Sequence, residues 1–112
     1  MINGAHIIIY STNAEADREF FRTVLKYKHV DAGGGWLIFK LPPAEVAVHP
    51  SDENDMHELW FMTDDVELEI RTLRKAGVEC ESPTQQRWGL ATRLKLPGGG
   101  SLGLYQPRHA RP

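Results

Sequence analysis

Two stretches of this sequence carry the same pattern. "GAHIIIYSTNAEADREFFRTVLKY" runs from Gly4 to Tyr27, and "MHELWFMTDDVELEIRTLRKAGVEC" from Met56 to Cys80. Each has a histidine, an apolar run, an acidic or amide pair and an amphipathic helical pattern. A chain of 112 residues has room for one core, not two. The repeat therefore predicts a duplicated supersecondary unit, neither copy able to cover its own sheet alone.

The first copy opens with "HIIIYS", a β-branched apolar run that reads as a strand. Thr12 and Glu15 fit a capping box at the start of a helix, with Asn13 as a competing cap. Ala16, Phe20 and Val24, with Phe21 and Leu25, share a face and are expected to be buried. The helix fades near Lys26–Lys28. A short strand is expected near His29–Ala32, then a turn at Gly33-Gly34-Gly35. "WLIFKL" reads as a strand ended by Pro42-Pro43, and "EVAVH" as another with strict alternation. The polar stretch "PSDEND", Pro50 to Asp55, links the halves. Its acids lack the spacing and closing glutamate of a calcium loop.

The second copy repeats the order. "ELWFMT" is a strand, Asp64 and Glu67 start a helix, Ile70 and Leu73 face inward, and Gly77 suits the position just past the helix. "VECES" reads as a short strand. "LATRLKL" and "SLGLYQ" flank a hairpin-type turn at Pro97-Gly98-Gly99-Gly100. Neither glycine triplet opens a helix or precedes Lys and Ser/Thr, so neither is a phosphate loop. The expected fold is α+β: two tandem βαβββ modules, 2–50 and 55–107, forming one domain over 1–112. Two such sheets can curve together into an incomplete barrel around a ligand cup. Residues 108–112 are expected to be a frayed tail.

Composition excludes several classes of function. Net charge is -2 with mixed signs, which argues against nucleic acid as a partner. No apolar run approaches the ~20 residues that span a bilayer. The N-terminus carries no signal-peptide pattern. The single cysteine, Cys80, fits a reducing cytoplasm, and no neighbour in sequence would lower its pKa.

The stretches "AHIIIYSTNAEADREFFRTVL", "WFMTDDVELEIRTLRKAGVE" and "LPGGGSLGLYQP", in that order and spacing, resemble the vicinal oxygen chelate superfamily: glyoxalases, bleomycin-resistance proteins and extradiol dioxygenases. The resemblance covers nearly the whole chain. It implies the paired βαβββ fold, a ligand cup and often a divalent metal held by His, Glu or Gln from the first and fourth strand of each half. It also implies a homodimer. It does not fix the reaction.

Carried over position by position, the resemblance places the first ligand at His6. In the second half His57 echoes His6, but the helix patterns align best at an offset of 52. That offset sets Asn13 over Asp65, Phe21 over Leu73, and Glu58 over His6. Alternation then turns Glu58, Trp60 and Met62 to the cup, Leu59 and Phe61 to the helix, and His57 to an edge or the surface. In the fourth strands the positions fall on Ala47 and Gly103, which bear no donor. His49, two residues beyond Ala47, is a displaced candidate. No metal is favoured; if one is present, its ligands are His6, Glu58 and His49.

Alternation also brings Tyr10, Trp36, Trp60, Met62 and Tyr105 to the cup as ligand-binding residues, as aromatic walls suit a small-molecule pocket. The alternative is that they fill the barrel. Trp88 and Arg87 belong to a rim loop. Three functions compete. The first is binding of a small aromatic or planar molecule. The second is catalysis by a divalent-metal-dependent lyase or extradiol-type dioxygenase, with Glu58 as base. The third is metal-free acid–base catalysis by His6, His49 or Glu58. Neither Ser101 nor Cys80 sits in a nucleophile's setting. Binding is the reading preferred.

Overall fold

The structure, a computed structural model, describes residues 1–23, 26–41, 43–95 and 100–112. The elements run β1 (Ile2–Ser11), α1 (Ala14–Thr23), β2 (His29–Asp31), β3 (Leu37–Leu41), β4 (Ala44–Pro50), β5 (Met56–Thr63), α2 (Val66–Lys75), β6 (Thr84–Gln86), β7 (Gly89–Lys95) and β8 (Ser101–Pro107). This is βαβββ twice. Hydrogen bonding orders the strands β2-β3-β4-β1-β5-β8-β7-β6 in a mixed sheet. β1 runs parallel to β4, and β5 parallel to β8. No helix among the described residues is long and apolar enough to cross a membrane.

The chain divides into two compact units. The first is Ala5–Leu59 with Ala110–Pro112, and the second is Met1–Gly4 with Trp60–His109. This partition differs from modules at 2–50 and 55–107, and side-chain chemistry gives the reason. Asn3 Nδ2 donates to Asp64 Oδ2 at 3.0 Å, and the Met1 amino group pairs with the buried Glu69. The first four residues are thereby fastened to the second copy of the repeat.

In the first unit α1 packs on β4. Phe39, Val46 and Val48 are fully buried, and the Phe21 ring lies 5.3 Å from that of Phe39. The helix begins at the amide competitor rather than at the capping box. Asn13 Oδ1 accepts from Ala16 N at 3.1 Å, while Thr12 gives its N–H and hydroxyl to Asn54. The buried side of α1 also differs from expectation. Ala14 is buried and Phe21 half-buried, but Ala16 is exposed and Phe20 is 49% exposed. The expected partners Val24 and Leu25 lie outside the described residues, as does Pro42.

In the second unit Val66 and Ile70 of α2 pack with Leu94 and Leu104, and Phe61, Leu73 and Val78 join them. Asp65, one residue later than expected, is the N-cap, accepting from Leu68 N. Gly77 takes φ +86°, and the amides of Gly77 and Val78 close on the carbonyls of Arg74 and Leu73. That is a Schellman ending. The short strand lies at Thr84–Gln86, not at "VECES", where Cys80 makes only an isolated bridge to Leu94. Pro83 separates the two stretches, and proline cannot donate to a ladder. Of the expected turn after β7, residues 97–99 lie outside the described residues. The chain after β8 is anchored at its start. Arg108 N–H donates to Trp88 O at 2.9 Å, and Tyr105 Oη and His109 Nε2 are 2.8 Å apart.

Candidate functional site

Strand register organises the face of the first unit's sheet turned away from α1. Residues paired across strands share a face, and three rows result. His6 stands opposite Glu45, which stands opposite Lys40. Ile8, Ala47 and Ile38 form the next row, all buried. Tyr10 and His49 form the third, and Trp36 extends it, its ring 4.8 Å from that of His49. An apolar row thus separates a charged row from an aromatic one.

In the charged row His6 Nδ1 is hydrogen-bonded to Glu45 Oε2, and both residues are buried. The sequence reading did not single out Glu45 as a donor. The missing signal was register. β4 is parallel to β1 and distant in sequence, and nothing local states that Glu45, rather than Ala47, faces His6.

In the aromatic row Tyr10 donates its hydroxyl to Glu58 Oε2, and Glu58 is half-buried while His57 is exposed. The Tyr10 and His49 rings meet edge-on at 6.0 Å. Burial pushes the His49 pKa down to about 4; His6 and the Arg18 guanidinium add to this, and Glu58 opposes it. At neutral pH His49 is an uncharged imidazole. Arg18 reaches from α1, its guanidinium 4.9 Å over the Trp36 ring and its Nε donating to Val48 O at 3.0 Å. Sequence reasoning missed Arg18, because a charged residue inside an amphipathic helix reads as solvated. Trp36 itself is 43% exposed.

The second unit gathers the other candidates differently. Met62 and Tyr105 are 3% and 2% exposed and pack with Ala91 as core, with Trp60 against them. Those two side chains fill the unit rather than line an open surface. Trp60 stands opposite Gly103, which stands opposite Arg93. The Arg93 guanidinium lies 5.3 Å over the Trp60 ring, and Trp88 lies 5.3 Å from it edge-on. A Cβ built on Gly103 would fall 2.3 Å from Trp60 Cε3. The position is therefore sterically closed as well as lacking a donor.

These observations test the metal site that the resemblance implies. Ala47 sits in the apolar row between Ile8 and Ile38, and Gly103 lies under Trp60. The pattern of one donor from each of four strands is not reproduced. His6 and Glu45 supply two adjacent donors of suitable type in the first unit. Cys80 adds no nucleophile, since burial pushes its thiol pKa up and Arg74 only partly offsets this.

No protein-family model matches the chain, and no curated protein matches it. Solved structures do. Methylmalonyl-CoA epimerase from Mycobacterium tuberculosis superposes with a TM-score of 0.68 at 16% identity, covering 95% of this chain and 89% of that one. The Streptomyces coelicolor methylmalonyl-CoA epimerase, in complex with 2-nitronate-propionyl-CoA, gives 0.65 at 18% identity, covering 94% and 97%. A glyoxalase/bleomycin resistance protein/dioxygenase superfamily member from Vibrio splendidus 12B01 gives 0.57 at 10% identity, covering 94% and 98%. The chain shares its fold with these solved structures. At these identities the likeness speaks to fold alone.

Proposed function

We propose that the chain is a binding protein for a small planar molecule, which packs on the Tyr10–Trp36–His49 face of the first unit. The observation that carries this reading is the indole of Trp36, 43% exposed yet fixed by a guanidinium over its ring and an imidazole edge beside it. A rigid aromatic surface offers contact area at little entropic expense, because its side chains are already ordered. His49 is neutral at pH 7, so it adds an aromatic edge without a charge that a planar ligand would have to desolvate. The Tyr10 hydroxyl, given to Glu58, leaves its ring as the recognition surface.

Catalysis finds less support. Glu58 and His6 are each already engaged by a neighbour, and burial pushes the Cys80 thiol pKa up, away from the thiolate a nucleophile needs. The test is tryptophan fluorescence titrated with a panel of planar aromatic compounds. At least one should quench saturably, and Trp36→Leu should weaken it about tenfold, the effect of losing one aromatic contact. Trp88→Leu should leave the affinity unchanged. A panel without any saturable response, or equal loss in both variants, would remove the reading.

A further inference from the structure

We propose that a cleft at the far end of the first unit's sheet binds a diphosphate group. The cleft has a volume of about 290 Å³ and is lined by Lys26, Tyr27, Lys28, Lys40 and Leu41. Lys40 shares the sheet face of Trp36 but stands two rows away from it, at the other end of β3, so the proposal does not depend on the Trp36 surface.

Two local costs converge on this cleft. The first is backbone strain. Tyr27 N–H donates to Phe21 O at 3.1 Å, six residues back, and after the other helix Val78 N–H donates to Leu73 O at 3.0 Å, five residues back. After α2 the left-handed residue is Gly77, at φ +86°; after α1 it is Lys26, at φ +59°. A lysine is disfavoured there, and a glycine is not. The second cost is electrostatic. His29 pairs with Phe39 across β2 and β3, so the next pair outward is Lys28 with Lys40, joined by Lys40 N–H donating to Lys28 O at 2.8 Å. Like charges directly opposite each other destabilise a ladder.

Strain and repulsion that persist at one spot are the mark of a site kept for binding. The three lysines form no ion pair among the described residues. Among the described residues no carboxylate lines the cleft, and Glu45, opposite Lys40, is turned to His6. Three ammonium groups exceed the charge of a monophosphate, about -1.5 to -2 at pH 7. A diphosphate matches them better and accepts hydrogen bonds at both phosphorus centres. Tyr27 and Leu41 add an apolar wall.

The experiment titrates the intact chain with inorganic pyrophosphate, followed by amide chemical shifts at low ionic strength. The amides of Lys26, Tyr27, Lys28, Lys40 and Leu41 should move and saturate, with a Kd of about 1 mM or tighter. Sulfate at equal ionic strength should not reproduce this. Lys26→Gly should raise Tm by about 4 °C while weakening pyrophosphate about tenfold. Lys40→Gln should weaken it similarly without lowering Tm, and Lys75→Gln should change neither. Both losses occur in folded protein, so misfolding cannot mimic them. ADP separates the sources. Equal affinity assigns the cleft to a bare diphosphate, and tighter binding assigns it to a diphosphate ester. No saturable shift, an equal response to sulfate, or a more stable Lys26→Gly variant with undiminished binding would overturn the proposal.

Discussion

A glycine on a central strand gives up side-chain packing, so its presence asks what stands in the space. At Gly103 the answer is the six-membered ring of Trp60, with Arg93, Trp88 and Tyr105 around the indole. The ring has little room to retreat. Gly103→Ala is expected to destabilise the protein by about 2 kcal/mol through overpacking. Trp60→Leu in the same chain should recover part of that loss in urea unfolding, and a freely tolerated Gly103→Ala would show that the indole is not held. The sequence showed that Gly103 lacks a donor, because residue type is explicit. It did not show that Trp60 closes the position, because the β5–β8 register is a tertiary fact. His49 carries a pH prediction. Its folded pKa is about 4 against an ordinary 6.5. Between those values the unfolded chain takes up a proton that the folded chain refuses, so folding is favoured more as pH rises through the window. The contribution is complete above about pH 6.5, is lost as pH falls toward 4, and levels off below that. For this half-buried ring, solvent screening reduces the effect to about 1 kcal/mol. Unfolding free energies at pH 7 and pH 4.5 should therefore differ by less in His49→Phe than in the parent. An unchanged difference would mean that His49 protonates freely in the folded state.

The two helices show how the repeat translates into elements. An offset of 52 sets Asn13 over Asp65, and both are the N-caps, accepting from the amide three residues on. The capping-box reading gave that role to Thr12 and Asp64, one residue early in each half. Thr12 satisfies Asn54 instead, a partner supplied by the loop before β5. Asn13→Ala and Asp65→Ala should each cost about 1 kcal/mol by chemical denaturation. Thr12→Val should cost less than Asn13→Ala; the reverse order would restore the capping box. The hydrophobic pattern located both helices and placed Phe21 on the covered side, but it also buried Ala16 and Phe20 and passed over Ala14. Phe20 looks apolar enough for the core, and only packing on β4 decides which flank is covered. The misplaced second strand of the second half has a similar cause. Residues 79–81 do bond along β7, through Lys95 N–H to Glu79 O and Glu81 N–H to Arg93 O. Pro83 breaks that run, and the regular ladder resumes at Thr84, where the exposed polar side chains give no periodic signal.

For the molecule as a whole, duplication was the legible part, because the paired apolar runs and helix patterns need no partner to be read. The chemistry was less legible, because it depends on which residues the parallel pairings β1–β4 and β5–β8 set side by side. His6 is such a case: the repeat and the resemblance single it out, but only the register gives it Glu45. The two parallel pairings occupy equivalent places. Ile8 stands opposite Ala47, and Trp60, which the offset sets over Ile8, stands opposite Gly103. The duplicated fold therefore puts Ala47 and Gly103, neither bearing a donor, at the two positions where the resemblance expects metal ligands. That correspondence bears directly on occupancy. Protein purified without chelators or metal-affinity steps is expected to carry well under one equivalent of Mn, Fe, Co, Ni or Zn by elemental analysis. Adding any of these ions should shift Tm by less than about 1 °C, since binding stabilises only when free ion well exceeds its Kd. The informative variants act on the pair that remains, His6→Ala and Glu45→Gln. If the parent holds stoichiometric metal and both variants lose it, His6 and Glu45 anchor a real site, and the lyase or dioxygenase reading displaces the binding one. If metal is absent and Gly103→Glu, made together with Trp60→Ala to open the space, still recruits none, the missing donors are more than a single substitution can restore.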